Sequence, residues 1–113
     1  MLHSDPLSGA FFALSDPTRR GLLARLATGE ATVQELAEPF DMTLAGVSKH
    51  LKILQAAGLV VQGRDGQRRP CRLQAGRLRD AAVWLADYRT FWDASMDRLE
   101  DYIATVDDPS DKA

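Results

Sequence analysis

The hydrophobic positions between Asp41 and Leu59, in DMTLAGVSKHLKILQAAGL, recur with the period of an α-helix. At 100° per residue Val47, Leu51, Leu44 and Leu54 fall within about 80° of one another, which predicts one buried face. Ala45, Ser48, Lys49 and Lys52 lie on the opposite side, small near the helix start and cationic further along. Thr43 is placed to cap the start of this helix, and Gly58 to close its end in the left-handed region. A polar face without bulk suits either a charged surface helix or a helix that enters the DNA major groove.

The flanking pattern separates those alternatives. Leu7 to Leu14 predicts a short first helix with Phe11, Phe12 and Leu14 as its apolar side. Ser15-Asp16-Pro17 marks a second start, with Asp16 as cap and Pro17 at the first helical position, where its missing amide costs nothing. That helix carries Leu22, Leu23 and Leu26 and stops at Gly29, with Arg19, Arg20 and Arg25 as its solvated face. Thr32-Val33-Gln34-Glu35 is a capping box that opens a short third helix. Pro39 ends it near Glu38, and Phe40 and Met42 are expected to plug the core from the connection. A short capped helix, a tight connection and a longer polar-faced helix make a helix-turn-helix.

Beyond Gly58 the period changes to that of strands, over residues 59–64 and 68–73. Asp65-Gly66 between them is a two-residue hairpin signal, and Pro70 holds the second strand to a sheet edge. Arg64, Gln67, Arg68, Arg69 and Arg72 crowd this hairpin. Four arginines around one turn repel each other unless a polyanion accepts them, so the hairpin reads as a wing along phosphates or in the minor groove. From Gly76 to Val106 one last helix is predicted. Leu78, Leu85, Trp92, Leu99 and Val106 recur every seven residues, joined by Ala82, Met96 and Ile103, with Trp84, Tyr88, Phe91 and Tyr102 alongside. So wide an apolar surface exceeds what a small domain buries, which predicts a partner chain and, by commonness, a two-fold dimer.

Charge sharpens this picture. The 113 residues carry a net −2, but residues 1–40 hold −2, residues 41–79 hold +6 and residues 80–113 hold −6. A basic block confined to the helix-turn-helix and hairpin is the footprint of a DNA-facing surface. The length fits one domain, 1–113, with an ordered core over 7–106, a frayed start at 1–6 and a disordered tail at 107–113 (DDPSDKA). No apolar run approaches the roughly 20 residues of a membrane span, and MLHSDPLSG lacks a secretory pattern. The single cysteine, Cys71, has no internal disulfide partner, which points to a reducing cytoplasm. No nucleophile motif or Gly-rich phosphate loop marks an enzyme, and no cofactor is expected.

The segments ALSDPTRRGLLARL, VSKHLKILQAAGLV and GRDGQRRPCRL, in this order and spacing, resemble the ArsR/SmtB family of bacterial winged-helix repressors over roughly residues 8–104. The resemblance implies a mostly α fold with a small β-hairpin: about five helices, a two-stranded wing, and dimerisation through the first and last helices. It implies a homodimer on an imperfect palindrome in double-stranded DNA, over its own or a neighbouring promoter. The DNA-contacting residues become Thr43, Ala45, Ser48, Lys49, Lys52, Arg64, Gln67, Arg68 and Arg69. The dimer interface becomes Phe11, Phe12, Leu85, Tyr88, Trp92, Met96, Leu99 and Ile103.

The chain also departs from the family pattern. Members that sense thiophilic metals carry Cys-x-Cys before the turn, where this chain has residues 35–40 without a thiolate. The last helix has carboxylates but no histidine, since only His3 and His50 occur, so metal sensing is not expected. Leu44 stands where members often carry a polar residue, so direct base hydrogen bonding falls to Ser48 and Lys49. His50, on the flank of the apolar arc, reads as a structural hydrogen-bonder. Two other functions remain compatible: a winged-helix module for an acidic protein partner, and a repressor that responds to oxidation or a small ligand through Cys71. A lone cysteine in a strand is more commonly inert packing.

Overall fold

The computed structural model describes residues 5–106. In order, the chain forms α1 (Pro6–Leu14), α2 (Pro17–Leu26), α3 (Val33–Ala37), α4 (Leu44–Ala56), β1 (Val60–Gln62), β2 (Cys71–Leu73), α5 (Gly76–Ala86) and α6 (Arg89–Val106). It divides into two compact units, Met1–Ala81 and Ala82–Ala113. No helix among the described residues is long and apolar enough to cross a membrane.

Local capping sets the elements of the first unit. Asp5 accepts from the Ser8 amide at 2.8 Å, so α1 starts earlier than expected and residues 5–6 are not frayed. The expectations for residues 1–4 and 107–113 lie outside the described residues. Asp16 accepts from the Arg19 amide at 3.0 Å and Pro17 opens α2. Thr32 and Glu35 form the capping box of α3, with the Thr32 amide donating to Glu35 at 2.9 Å. Thr43 accepts from the Gly46 amide at 3.1 Å, and Gly58 (φ +77°) closes α4 in the left-handed region.

The core gathers Leu22, Leu23 and Leu26 of α2, Leu36 of α3, Val47, Leu51 and Leu54 of α4, and Leu59, Val60 and Cys71 of the hairpin. Phe40 packs against this cluster, its ring lying 3.0 Å from where a Cβ on Gly21 would stand, so α2 offers bare backbone as the ring's seat. Met42 does not plug the core. It stays exposed, with its Cε over Gly46. Leu44 also departs from the expected apolar arc and is 48% exposed. It is the first residue of α4, and the angle around a helix says nothing about whether packing reaches the helix tip.

β1 and β2 pair antiparallel with Val60 opposite Leu73, Val61 opposite Arg72 and Gln62 opposite Cys71. The strands are shorter than expected and the turn lies one residue later. Asp65 and Arg68 exchange both backbone bonds, at 2.9 and 3.0 Å, so the loop is Gly66-Gln67. Positive φ falls on Gly66 alone, as a turn with glycine at its first central position requires.

The expected single helix over 76–106 is two helices. The Asp87 amide bonds to the Trp84 carbonyl at 3.3 Å and the Tyr88 amide to the Leu85 carbonyl at 3.0 Å. These three-residue closures tighten and end α5, and the Tyr88 carbonyl then receives the Trp92 amide to begin α6. In the second unit Trp92, Met96, Leu99 and Ile103 line one side of α6 and are between 42% and 58% exposed. The Trp84 and Tyr88 rings sit 5.3 Å apart beside the break.

Candidate nucleic-acid interface

The helix-turn-helix consists of α3 and α4 joined by residues 38–43. Burial of Val47, Leu51 and Leu54 fixes the rotation of α4. Ala45, Lys49 and Lys52 then face solvent, with Ser48 half-buried between them and the core. Thr43 is exposed while its hydroxyl caps the helix. The expected polar face therefore exists as one surface, small at its start and flanked by two ammonium groups.

The wing is fastened to this helix-turn-helix at two levels. At its base, Cys71 and Ala31 exchange backbone bonds at 2.7 and 3.1 Å, tying β2 to the residue just before the capping box. Nearer the tip, the Arg68 guanidinium reaches Glu35 at 3.1 Å. Glu35 thus accepts from the Thr32 amide and from Arg68 together. The Thr32 amide and hydroxyl, and then the Arg68 charge, hold its carboxyl below the usual range. This ion pair is half-exposed and contributes little stability by itself, but it orients the wing. Gln62 donates to the Arg69 carbonyl at 3.3 Å, and Arg64, Gln67 and Arg69 project into solvent.

Arg19 differs from expectation. It is 6% exposed, and its guanidinium donates to the Ala13 carbonyl at 2.7 Å and the Phe12 carbonyl at 3.1 Å, with its carbon 5.3 Å from the Phe12 ring centre. It serves as a cap for the C-terminal carbonyls of α1. Arg20 does the same at Leu14, at 2.7 Å, and Arg25 reaches the Gly29 carbonyl at 3.0 Å. His50 lies against this group, its Nδ1 3.4 Å from Arg19 and 3.9 Å from Asp16. The two contacts exclude each other chemically: an unprotonated Nδ1 accepts from Arg19, and a protonated one pairs with Asp16. His50 is therefore a structural group, as its place on the helix suggested.

Cys71 is fully buried, and burial pushes its thiol up, away from the reactive thiolate. In the folded protein, thiol reagents at neutral pH are expected to label Cys71 far more slowly than after denaturation. Equal rates in a mass-spectrometric time course would show an accessible thiol. No three His, Cys, Asp or Glu side chains among the described residues are grouped to hold a metal ion.

A capped helix-turn-helix carrying a cationic second helix and an arginine-bearing hairpin defines a winged helix-turn-helix. Residues 14–62 match a helix-turn-helix domain family. The transcriptional repressor SdpR of Bacillus subtilis is 34% identical over 82 residues, covering 73% of this chain and 91% of that one. An HTH-type transcriptional regulator of Mycobacterium tuberculosis is 36% identical over 102 residues, covering 90% of each. The crystal structure of an ArsR family transcriptional regulator superposes with a TM-score of 0.70 at 41% identity, covering 78% of this chain and 91% of that one. The homodimeric winged helix-turn-helix DNA-binding domain of a Mycobacterium bovis protein, solved in solution, gives 0.62 at 31% identity, covering 83% and 84%. The chain belongs to the ArsR family of winged helix-turn-helix transcriptional regulators.

Proposed function

We propose that the protein is a homodimeric repressor that binds an imperfect palindrome at its own or a neighbouring promoter, working in the cytoplasm. In this reading α4 enters the major groove with Ser48 and Lys49 toward base edges, and Thr43, Ala45 and Lys52 toward the backbone. Arg64, Gln67, Arg68 and Arg69 follow the flanking phosphates or the minor groove. The observation that carries the reading is the common anchorage of its two cationic parts. The Glu35–Arg68 pair and the Ala31–Cys71 bridge tie the wing to the helix-turn-helix that bears Lys49 and Lys52. The dimer rests on the apolar side of α6 and on the homodimeric relative, with Phe11, Phe12, Leu85 and Tyr88 completing the contact.

Footprinting of the purified protein on DNA upstream of its own gene tests this directly. Two protected half-sites about one helical turn, or a multiple of it, apart are expected, and affinity should fall steeply with salt. Lys49→Ala is expected to weaken operator binding about tenfold, and Arg69→Ala to reduce the salt slope by about one. Both residues are exposed, so the variants should melt with the parent. Unchanged binding in both variants would remove this surface from the DNA. A winged-helix module for an acidic protein would instead protect no DNA. The buried Cys71 thiol disfavours the oxidation-responsive version of the repressor.

A further inference from the structure

Leu44 is an apolar side chain for which the core has no use. Its companions on the same side of α4, Val47, Leu51 and Leu54, are at most 2% exposed, whereas Leu44 presents 48% of its surface. Met42, also exposed, has a seat over Gly46, roughly 160° around the helix start from Leu44. Leu44 instead stands one turn before Ser48, at the end of the helix that a helix-turn-helix directs at base edges. It has no donor or acceptor to offer those edges. The apolar group that a base pair presents in the major groove is the thymine C5-methyl.

We propose that Leu44 is a specificity-determining residue that packs on a thymine methyl in each half-site of the operator. This rests on the DNA-binding reading given above and deepens it. Leucine there selects thymine over cytosine, which lacks the methyl, by apolar contact, while Ser48 and Lys49 supply the polar readout. Its exposure in the free protein is then the surface that DNA covers.

Uracil provides the test, because replacing one thymine by uracil deletes the methyl and keeps every hydrogen-bonding group. Operator duplexes carrying single thymine→uracil changes are titrated with the parent, Leu44→Ala and Leu44→Gln proteins, whose folding is checked by circular dichroism. At one equivalent thymine in each half-site, uracil is expected to weaken parent binding about fourfold, the worth of one buried methyl-sized group. In Leu44→Ala that thymine–uracil difference should vanish, and Leu44→Gln should shift the preferred base there toward adenine. A parent protein indifferent to uracil at every thymine overturns the proposal, and so does a Leu44→Ala protein that keeps the full difference. A protein that protects no DNA at all instead sinks the repressor reading, and the Leu44 contact with it.

Discussion

Leu99→Asp is expected to convert the protein from dimer to monomer at micromolar concentration and to lower operator affinity by two orders of magnitude or more. Leu99 lies in the middle of the α6 stripe between Met96 and Ile103, and half of its surface is uncovered in the single chain. In a two-fold interface each chain brings the same patch, so one substitution places two carboxylates in one apolar seam. Burying them unpaired is costly, and α6 is already acidic, with Asp93, Asp97, Glu100 and Asp101 against Arg89 and Arg98. On the two-half-site operator proposed above, loss of the dimer would also unlink the two contacts. Linked sites gain about 10²–10⁴ in affinity over single ones, and that gain disappears with the partner. Sedimentation at several concentrations reads the first effect, and operator titration the second. Thr105→Asp, exposed and about 150° around the helix from this stripe, adds the same carboxylate; it should stay dimeric and controls for charge alone. If Leu99→Asp remained a dimer, the seam would have to run elsewhere on the chain.

What the amino-acid pattern reveals in this protein is mostly what is decided within one helical turn. Asp16, Thr32, Glu35 and Thr43 cap their helices, and Gly58 closes α4, because capping needs only partners three residues away. The rotation of α4 was readable for the same reason, since three leucine-type positions at helical spacing define a buried side. Where the partner is remote in sequence, the pattern is silent or misleading. Arg68 reads as one of four like arginines of the wing, and nothing in the pattern shows its pairing with Glu35, 33 residues away. Leu44 reads as core because a helical projection has no ends. The heptad from Leu78 to Val106 passes unbroken through Asp87-Tyr88, since neither glycine nor proline marks the break and the bonds that make it are backbone bonds. The hairpin was visible in Asp65-Gly66, but the pairing of Asp65 with Arg68 moves the loop by one residue. On α4, the exposed Lys49 and Lys52 stand where the helical period puts them, opposite the buried side.

Arg19 is the plainest case of a role hidden by distance, and its removal is expected to have a large effect on stability. One arginine among three in PTRRGLLARL looks like a solvated face. The Ser15-Asp16-Pro17 corner, however, folds α1 back so that its terminal carbonyls meet the first turn of α2. Arg19 occupies that corner and satisfies the Phe12 and Ala13 carbonyls with one planar guanidinium, while its face covers the Phe12 ring. Arg19→Met keeps most of the stem and removes the donors, leaving the Ala13 carbonyl without its guanidinium partner in a site only 6% exposed, while the Phe12 carbonyl keeps the Ser15 amide and hydroxyl. Hydrogen bonds from charged donors contribute about 1.5–3 kcal/mol, and a buried acceptor left unmade costs a similar amount. A loss of about 2 kcal/mol in unfolding free energy is therefore expected, on the order of an 8–12 °C fall in melting temperature for a domain of this size. Arg19→Lys should recover only part of this, because an ammonium lacks the planar fork that spans both carbonyls. Denaturant unfolding of the parent and the two variants gives the comparison. Since α1 and α2 both pack on α4, and His50 of α4 touches Arg19 itself, operator affinity should fall with stability in Arg19→Met. It should recover in step in Arg19→Lys. If Arg19→Met melted within two or three degrees of the parent, the corner would be held by apolar packing alone and Arg19 would return to the solvated face.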